Sequence, residues 1–210
     1  MLDMHTYYFF VGTSVVLVMS PGPDTILVLS RTLASGALAG FMVLIGTQVG
    51  NVIQAVSAGV GVSTIILLFP PAFLTLKWVG AVYLVYLAIQ AWRAAAIMPS
   101  YKEFSIKNRS AARFVFQGLI GNLTNPKMIV FFVALFPQFI SPQNGSSVIQ
   151  SIILGVTLAA MAMVWIGLLV MISGYYRKDA AYNRTFLLIA NRLASLTFLG
   201  LALRVALERG

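Results

Sequence analysis

Six long apolar runs separated by short polar pieces constrain this chain more than any other feature: Tyr7 to Leu29, Gly40 to Leu68, Ala72 to Trp92, Phe114 to Phe136, Val148 to Ser173 and Phe186 to Leu207. A bilayer hydrocarbon core takes roughly 20 residues of α-helix. With 60% of 210 residues apolar, 9% charged and a mean hydropathy of +0.92, the chain is too apolar to hide its side chains in one water-soluble core. A membrane barrel would alternate apolar and polar residues in segments of about ten, and these runs do not alternate. The pattern predicts an all-α integral membrane protein of six transmembrane helices.

The polar punctuation between the runs is SRTLASGALA, Pro70-Pro71, the charged RAAAIMPSYKEFSIKNRSAAR, SPQNGSS and YYRKDAAYNR. The long charged piece divides the chain into a first three-helix unit (1–95), a cytoplasmic linker (96–113) and a second three-helix unit (114–210). Together these form one membrane domain.

The net charge of +9 does not point to nucleic acid, because the basic residues sit in the gaps rather than on one polar face. They report orientation instead. With the N-terminus outside, the inner loops carry nine basic residues, among them Arg31, Arg93, Lys102, Arg113 and Arg184, and the outer side carries Lys77, Arg204 and Arg209. Both termini are then outside. Tyr7, Tyr8, Trp78, Trp92, Tyr175 and Tyr176 fall near span ends, where amphipathic rings suit the headgroup layer. The first residues lack the basic stretch of a signal peptide, so the first run is expected to stay in the mature protein. The absence of cysteine excludes disulfides and dithiol redox work.

Two motifs violate the habits of a membrane helix. Ser20-Pro21-Gly22-Pro23-Asp24 lies inside the first run and Asn122-Leu123-Thr124-Asn125-Pro126-Lys127 inside the fourth. Each proline removes a hydrogen-bond donor and crowds the preceding turn, so helices one and four are expected to break there. The freed backbone groups then need protein, water or ligand, since lipid supplies nothing. The two halves run in opposite directions and each breaks in its own first helix, the pattern of two inverted repeats of three helices. Aligning Pro23 with Pro126 sets Asp24 opposite Lys127. Pro23 and Pro126 suit the first position of a restarted half-helix, whose free amides and partial positive charge favour an anion.

Asp24 and Lys127 are the ionisable residues placed at mid-depth, whereas Arg192 and Arg204 lie within reach of the interface. Pairing between them would simply hold the halves together. As a site, Lys127 and the amides of the second half-helix would take a substrate carboxylate, and Asp24 its ammonium group or a coupling proton. The candidate binding residues are Pro21, Gly22, Pro23, Asp24, Thr25, Asn51, Asn122, Asn125, Pro126 and Lys127. Gly46-Thr47-Gln48-Val49-Gly50 is a GxxxG helix-packing match; Asn51 and Gln54 follow it, fitting either a polar path or interhelical hydrogen bonds. Tyr83 and Tyr86 suit packing better than a pathway, and His5 is read as a solvated residue of the tail.

Over nearly its whole length the chain resembles the LysE/RhtB family of bacterial amino-acid exporters. The resemblance rests on Ser20 to Thr25, the run Gly46 to Gly50, and Leu123-Thr124-Asn125-Pro126-Lys127 followed by Phe131-Phe132. It implies a six-helix protein of the bacterial inner membrane that exports amino acids or close derivatives on the proton gradient, in many members as a homo-oligomer, without a cofactor. Where family members often carry an acid after the glycine run, this chain has Asn51, which favours a neutral zwitterion as substrate. A membrane enzyme fits poorly, with one external His, no Cys and one buried Asp. A metal exporter fits poorly for want of ligands in the spans. A passive channel shares the broken helices and remains the alternative.

Overall fold

The computed structural model describes residues 3–68 and 110–175, with isolated positions of the third and sixth runs (78, 82, 85, 86, 88, 89, 92 and 93; 192, 195, 196, 199, 200, 202 and 203). Every regular element among the described residues is helical. Most of the third and sixth runs, and the linker up to residue 109, lie outside them.

Helix α1 (Met4–Met19) starts at Asp3, whose carboxylate accepts the Thr6 amide at 3.0 Å, and ends at Ser20. Pro23 then opens α2 (Pro23–Ser35), with Gly22 as its N-cap, and the two halves meet at 48°. The first run is therefore broken where its prolines required, yet it continues to Ser35 rather than stopping at Leu29. The polar residues taken for a loop are absorbed by the helix: Ser30 and Thr32 donate their hydroxyls to the carbonyls of Ile26 and Val28, one turn back. The connection shrinks to Gly36, whose φ of 95° a side chain would strain, and α3 (Ala37–Leu68) begins at once.

The fourth run behaves in the same way. Helix α4 (Ala111–Leu123) stops at Thr124, and α5 (Pro126–Val130) restarts at a bend of 53°. It widens into a π turn over Phe131–Leu135 and tightens into a 3-10 turn over Phe136–Phe139. Polar SPQNGSS contains a short 3-10 turn, Pro142–Asn144, before α6 (Ser147–Tyr175).

Helix α3 is the hub, packing on α2, α4 and α6. Lipid removes the hydrophobic drive that joins helices in water, so close backbone approach has to do the joining. Gly46 of α3 lies against the Val115 carbonyl of α4, and Gly118 of α4 lies against the Val43 carbonyl of α3. A Cβ at either position would occupy the space of a backbone oxygen. Helix α2 packs on α4, while α1 reaches the Phe136–Phe139 turn, so the two broken spans run antiparallel.

The buried apolar residues form two clusters. Phe10, Phe131, Phe132, Phe136 and Phe139 dominate one; Val28, Val43, Leu44, Ile166 and Val170 belong to the other. Val18 packs against both clusters, just before the break in the first span. The opposite faces of α3 and α6 expose Val49, Ile53, Ile149, Val156, Val164 and Met171, as lipid-facing surfaces do. The third and sixth runs touch through Ser195, whose hydroxyl donates to the Ala88 carbonyl at 2.7 Å, and through Arg192, 4.9 Å from the Trp92 ring centre.

Gly118→Leu is expected to separate α3 from α4 and abolish a monodisperse, cooperatively melting protein in detergent. Gly12→Ala, with nothing near its missing Cβ, should melt within about 1 kcal/mol of the parent.

Candidate functional site

Sixteen residues of α1 and thirteen of α4 place the two breaks about 24 Å and 20 Å along spans that continue to Ser35 and Phe139, so each break falls near the middle of its own span. At the first break, the carbonyls of Leu17 and Met19 would normally receive the amides of residues 21 and 23, both prolines. Lys127 answers this loss from the other half of the chain. Its ammonium donates to Leu17 O at 2.8 Å and to Ser20 O at 2.7 Å. A cation at the carboxyl end of α1 also has the favourable sense for the helix dipole. The position of Lys127 at the start of α5, unfavourable for that helix, is therefore favourable for α1.

The second break is satisfied by a corresponding exchange. Pro126 cannot donate to the Asn122 carbonyl, which instead accepts the Asn125 amide at 3.0 Å and Gln54 Nε2 of α3 at 3.3 Å. Asn125 caps α5 by accepting the Lys127 amide at 3.0 Å. Among the described residues no side chain caps α2, so its N-terminus at Gly22 and Pro23, rather than that of the second half-helix expected to hold a carboxylate, is the less satisfied of the two.

Asn122, fully buried, joins three helices. Its Nδ2 donates to Asp24 Oδ2 at 2.7 Å and to Asn51 Oδ1 at 2.8 Å, and its Oδ1 accepts Gln54 Nε2 at 2.9 Å. Asn51 donates on to Gln48, and Gln48 to Thr47, at 2.8 and 2.9 Å. Gly50 leaves the room that the Asn122 amide occupies. Asp24 Oδ1 is buried, with Asn125 beside it, and among the described residues no group lies at hydrogen-bond distance and angle from it. Asp24 and Lys127 do not form an ion pair; each is held by neutral groups instead.

Between the breaks lies a cavity of about 40 Å³, room for roughly three waters. Gly22, Asp24, Thr25, Asn51, Asn125 and Lys127 line it. Of the residues singled out in the sequence, Pro21, Pro23 and Pro126 shape the breaks, and Asn122 stands behind the wall. Gln48 also lines the cavity, a residue legible only as an amide inside an apolar run. The apolar wall, including Leu158, Ala162 and Ile166 of α6, had no marker in the sequence. Gln54 serves interhelical hydrogen bonding. Tyr83 lies outside the described residues, and Tyr86 is half exposed.

A bundle of membrane helices with two facing breaks, and between them a largely apolar cavity with one acid and one base on its wall, defines a membrane carrier rather than an enzyme. The chain belongs to the LysE type translocator family, whose profile it matches over residues 15–209. It is 34% identical over 98% of both chains to an uncharacterized membrane protein of Vibrio cholerae. A homoserine/homoserine lactone efflux protein of Salmonella typhimurium is 39% identical over 75% of each chain. The uncharacterized membrane protein YrhP of Bacillus subtilis is 30% identical over 98% of this chain and all of its own. No solved structure matches.

Asn122→Leu leaves Asp24, Asn51 and Gln54 without their shared partner. A loss of roughly 1–3 kcal/mol is expected in denaturant titrations of the purified protein, against a much smaller loss for Thr124→Ala, whose hydroxyl bonds only within α4.

Proposed function

We propose that this protein exports a small neutral amino acid, or a close derivative, from the cytoplasm, and that protons drive the export. Family membership and the name of the Salmonella relative, a homoserine/homoserine lactone efflux protein, supply the class of cargo. Homoserine and its lactone share a primary ammonium but not a free carboxylate, so the ammonium is the group such a site has to recognise.

One observation carries the reading for this chain: Asp24 presents a buried, unbonded carboxylate oxygen beside a cavity between two broken helices. A buried acid without a full set of partners is costly unless it has a task. Asp24 accepts the substrate ammonium during part of the cycle and the coupling proton during another. The carboxylate, where the cargo has one, meets the uncapped start of α2 near Thr25 together with Lys127. Asn51, Asn122 and Asn125 keep these groups in place. Asn51 adds no charge of its own, which suits a zwitterion better than a cationic side chain.

The surrounding architecture follows the same reading. Units 1–95 and 114–210 act as inverted repeats that rock about the cavity, joined by a cytoplasmic linker at 96–113. The protein sits in a bacterial inner membrane with both termini outside, and homo-oligomers are the assembly the family resemblance implies.

In proteoliposomes, the protein should exchange labelled homoserine or a similar amino acid and respond to an imposed pH gradient. Asp24→Asn should lower gradient-driven efflux about 10–100-fold, the size implied by removing a charged partner from a buried hydrogen bond. Undiminished gradient-driven transport in Asp24→Asn would remove the proton role. Downhill flux without exchange or gradient response would indicate a passive channel.

A further inference from the structure

We propose that the carbonyls of Leu17 and Ser20 form the seat for the substrate's primary ammonium, and that Lys127 occupies this seat as a tethered stand-in while the carrier is empty. The inference deepens the export reading and rests on it. Asp24 supplies the nearby negative charge; the two carbonyls supply the directional acceptors.

The seat is a consequence of the break. Pro21 leaves Leu17 O without its helical donor, and the turn at Ser20 takes Ser20 O out of the helix. Two acceptors then converge on one nitrogen at 2.8 and 2.7 Å, a geometry made for a group with several N–H bonds. Its occupant is a primary alkylammonium with no ion-pair partner, and Gly22 runs beside the Lys127 stem, where an added Cβ would come within 3.1 Å of Lys127 Cδ. An α-ammonium group offers the same three N–H bonds.

The cavity supplies the second argument. At about 40 Å³, with the Lys127 side chain on its wall, it is too small for an amino acid. Withdrawal of that side chain opens space and strips two buried carbonyls of their donor at once. An arriving ammonium satisfies both. Lys127, released, is then free to face the cargo's carboxylate. With Lys127 in the seat, neither buried carbonyl is left unpaired.

Lys127→Ala removes the equivalent of n-propylammonium, which makes that ion the probe. The purified variant should bind labelled n-propylammonium at least about tenfold more tightly than N-trimethylated propylamine, which has the same charge and no N–H to give. Amino acids with a free α-ammonium should displace the probe, and their N-acetylated forms should not. Equal binding of the two ions, no binding of n-propylammonium, or equal displacement by acetylated amino acids would overturn the proposal. Should the variant not fold, the wild type carries the test: n-propylammonium should inhibit amino-acid exchange more strongly than the trimethylated ion, and equal inhibition would overturn the seat. A wild type that exchanges no amino acid, while Lys127→Ala still shows selective probe binding, would retire the export reading and leave the ammonium seat standing.

Discussion

The ammonium of Lys127, held between Leu17 O and Ser20 O, is the contact on which the rest of the fold depends. Prolines at 21 and 23 interrupt the first span within an apolar run, where lipid offers nothing to bond the freed carbonyls. Each unsatisfied group there is costly. The prolines make the break, and a residue 110 positions away along the chain brings the N–H groups that satisfy it. The same side chain ties the second break to the first, so the two interruptions share a boundary. The cavity is the space left by that arrangement.

The second break obeys the same rule with neutral groups. Asn122 O loses the Pro126 donor and gains Gln54, and the Asn122 side chain links Asp24 to Asn51. Because lipid is as apolar as the helices, such hydrogen bonds and the glycine contacts of α3 with α4 fix which helix lies against which. Gly46, Gly50 and Gly118 bring backbones together; Asn51, Asn122 and Gln54 set the register. A hub of this kind is stiff, whereas the cavity wall from α6 is apolar and makes no directional bonds.

Much of this was legible in the residues. Proline inside an apolar run can hardly stay in an unbroken membrane helix, so both breaks followed from Pro21, Pro23 and Pro126. Asp24, Lys127, Asn51 and Asn122 stood out because a polar group in lipid requires a partner. What could not be read was which partner. The acceptors of Lys127 are backbone carbonyls, common to every residue, and only the fold brings two of them to one nitrogen. The turn at Gly36 was hidden because Ser30 and Thr32 look like loop residues until their hydroxyls fold back onto the helix. The π and 3-10 turns from Phe131 to Phe139 carry a sequence as apolar as any α-helix, and Gln48 was masked by its place between two packing glycines.

Accessibility of the cavity from water tests most directly whether the two breaks enclose a transport pathway. The chain contains no cysteine, so a single Thr25→Cys substitution places one thiol on the cavity wall, and Ile26→Cys places another on the exposed apolar face beside it. Membrane-impermeant thiol reagents applied to right-side-out and inverted vesicles should label the thiol at position 25 from an aqueous side, with amino acid changing the rate, and should leave the one at 26 unmodified. A thiol at 25 that reacts from neither side with or without amino acid, or one at 26 that reacts equally fast, would contradict the account.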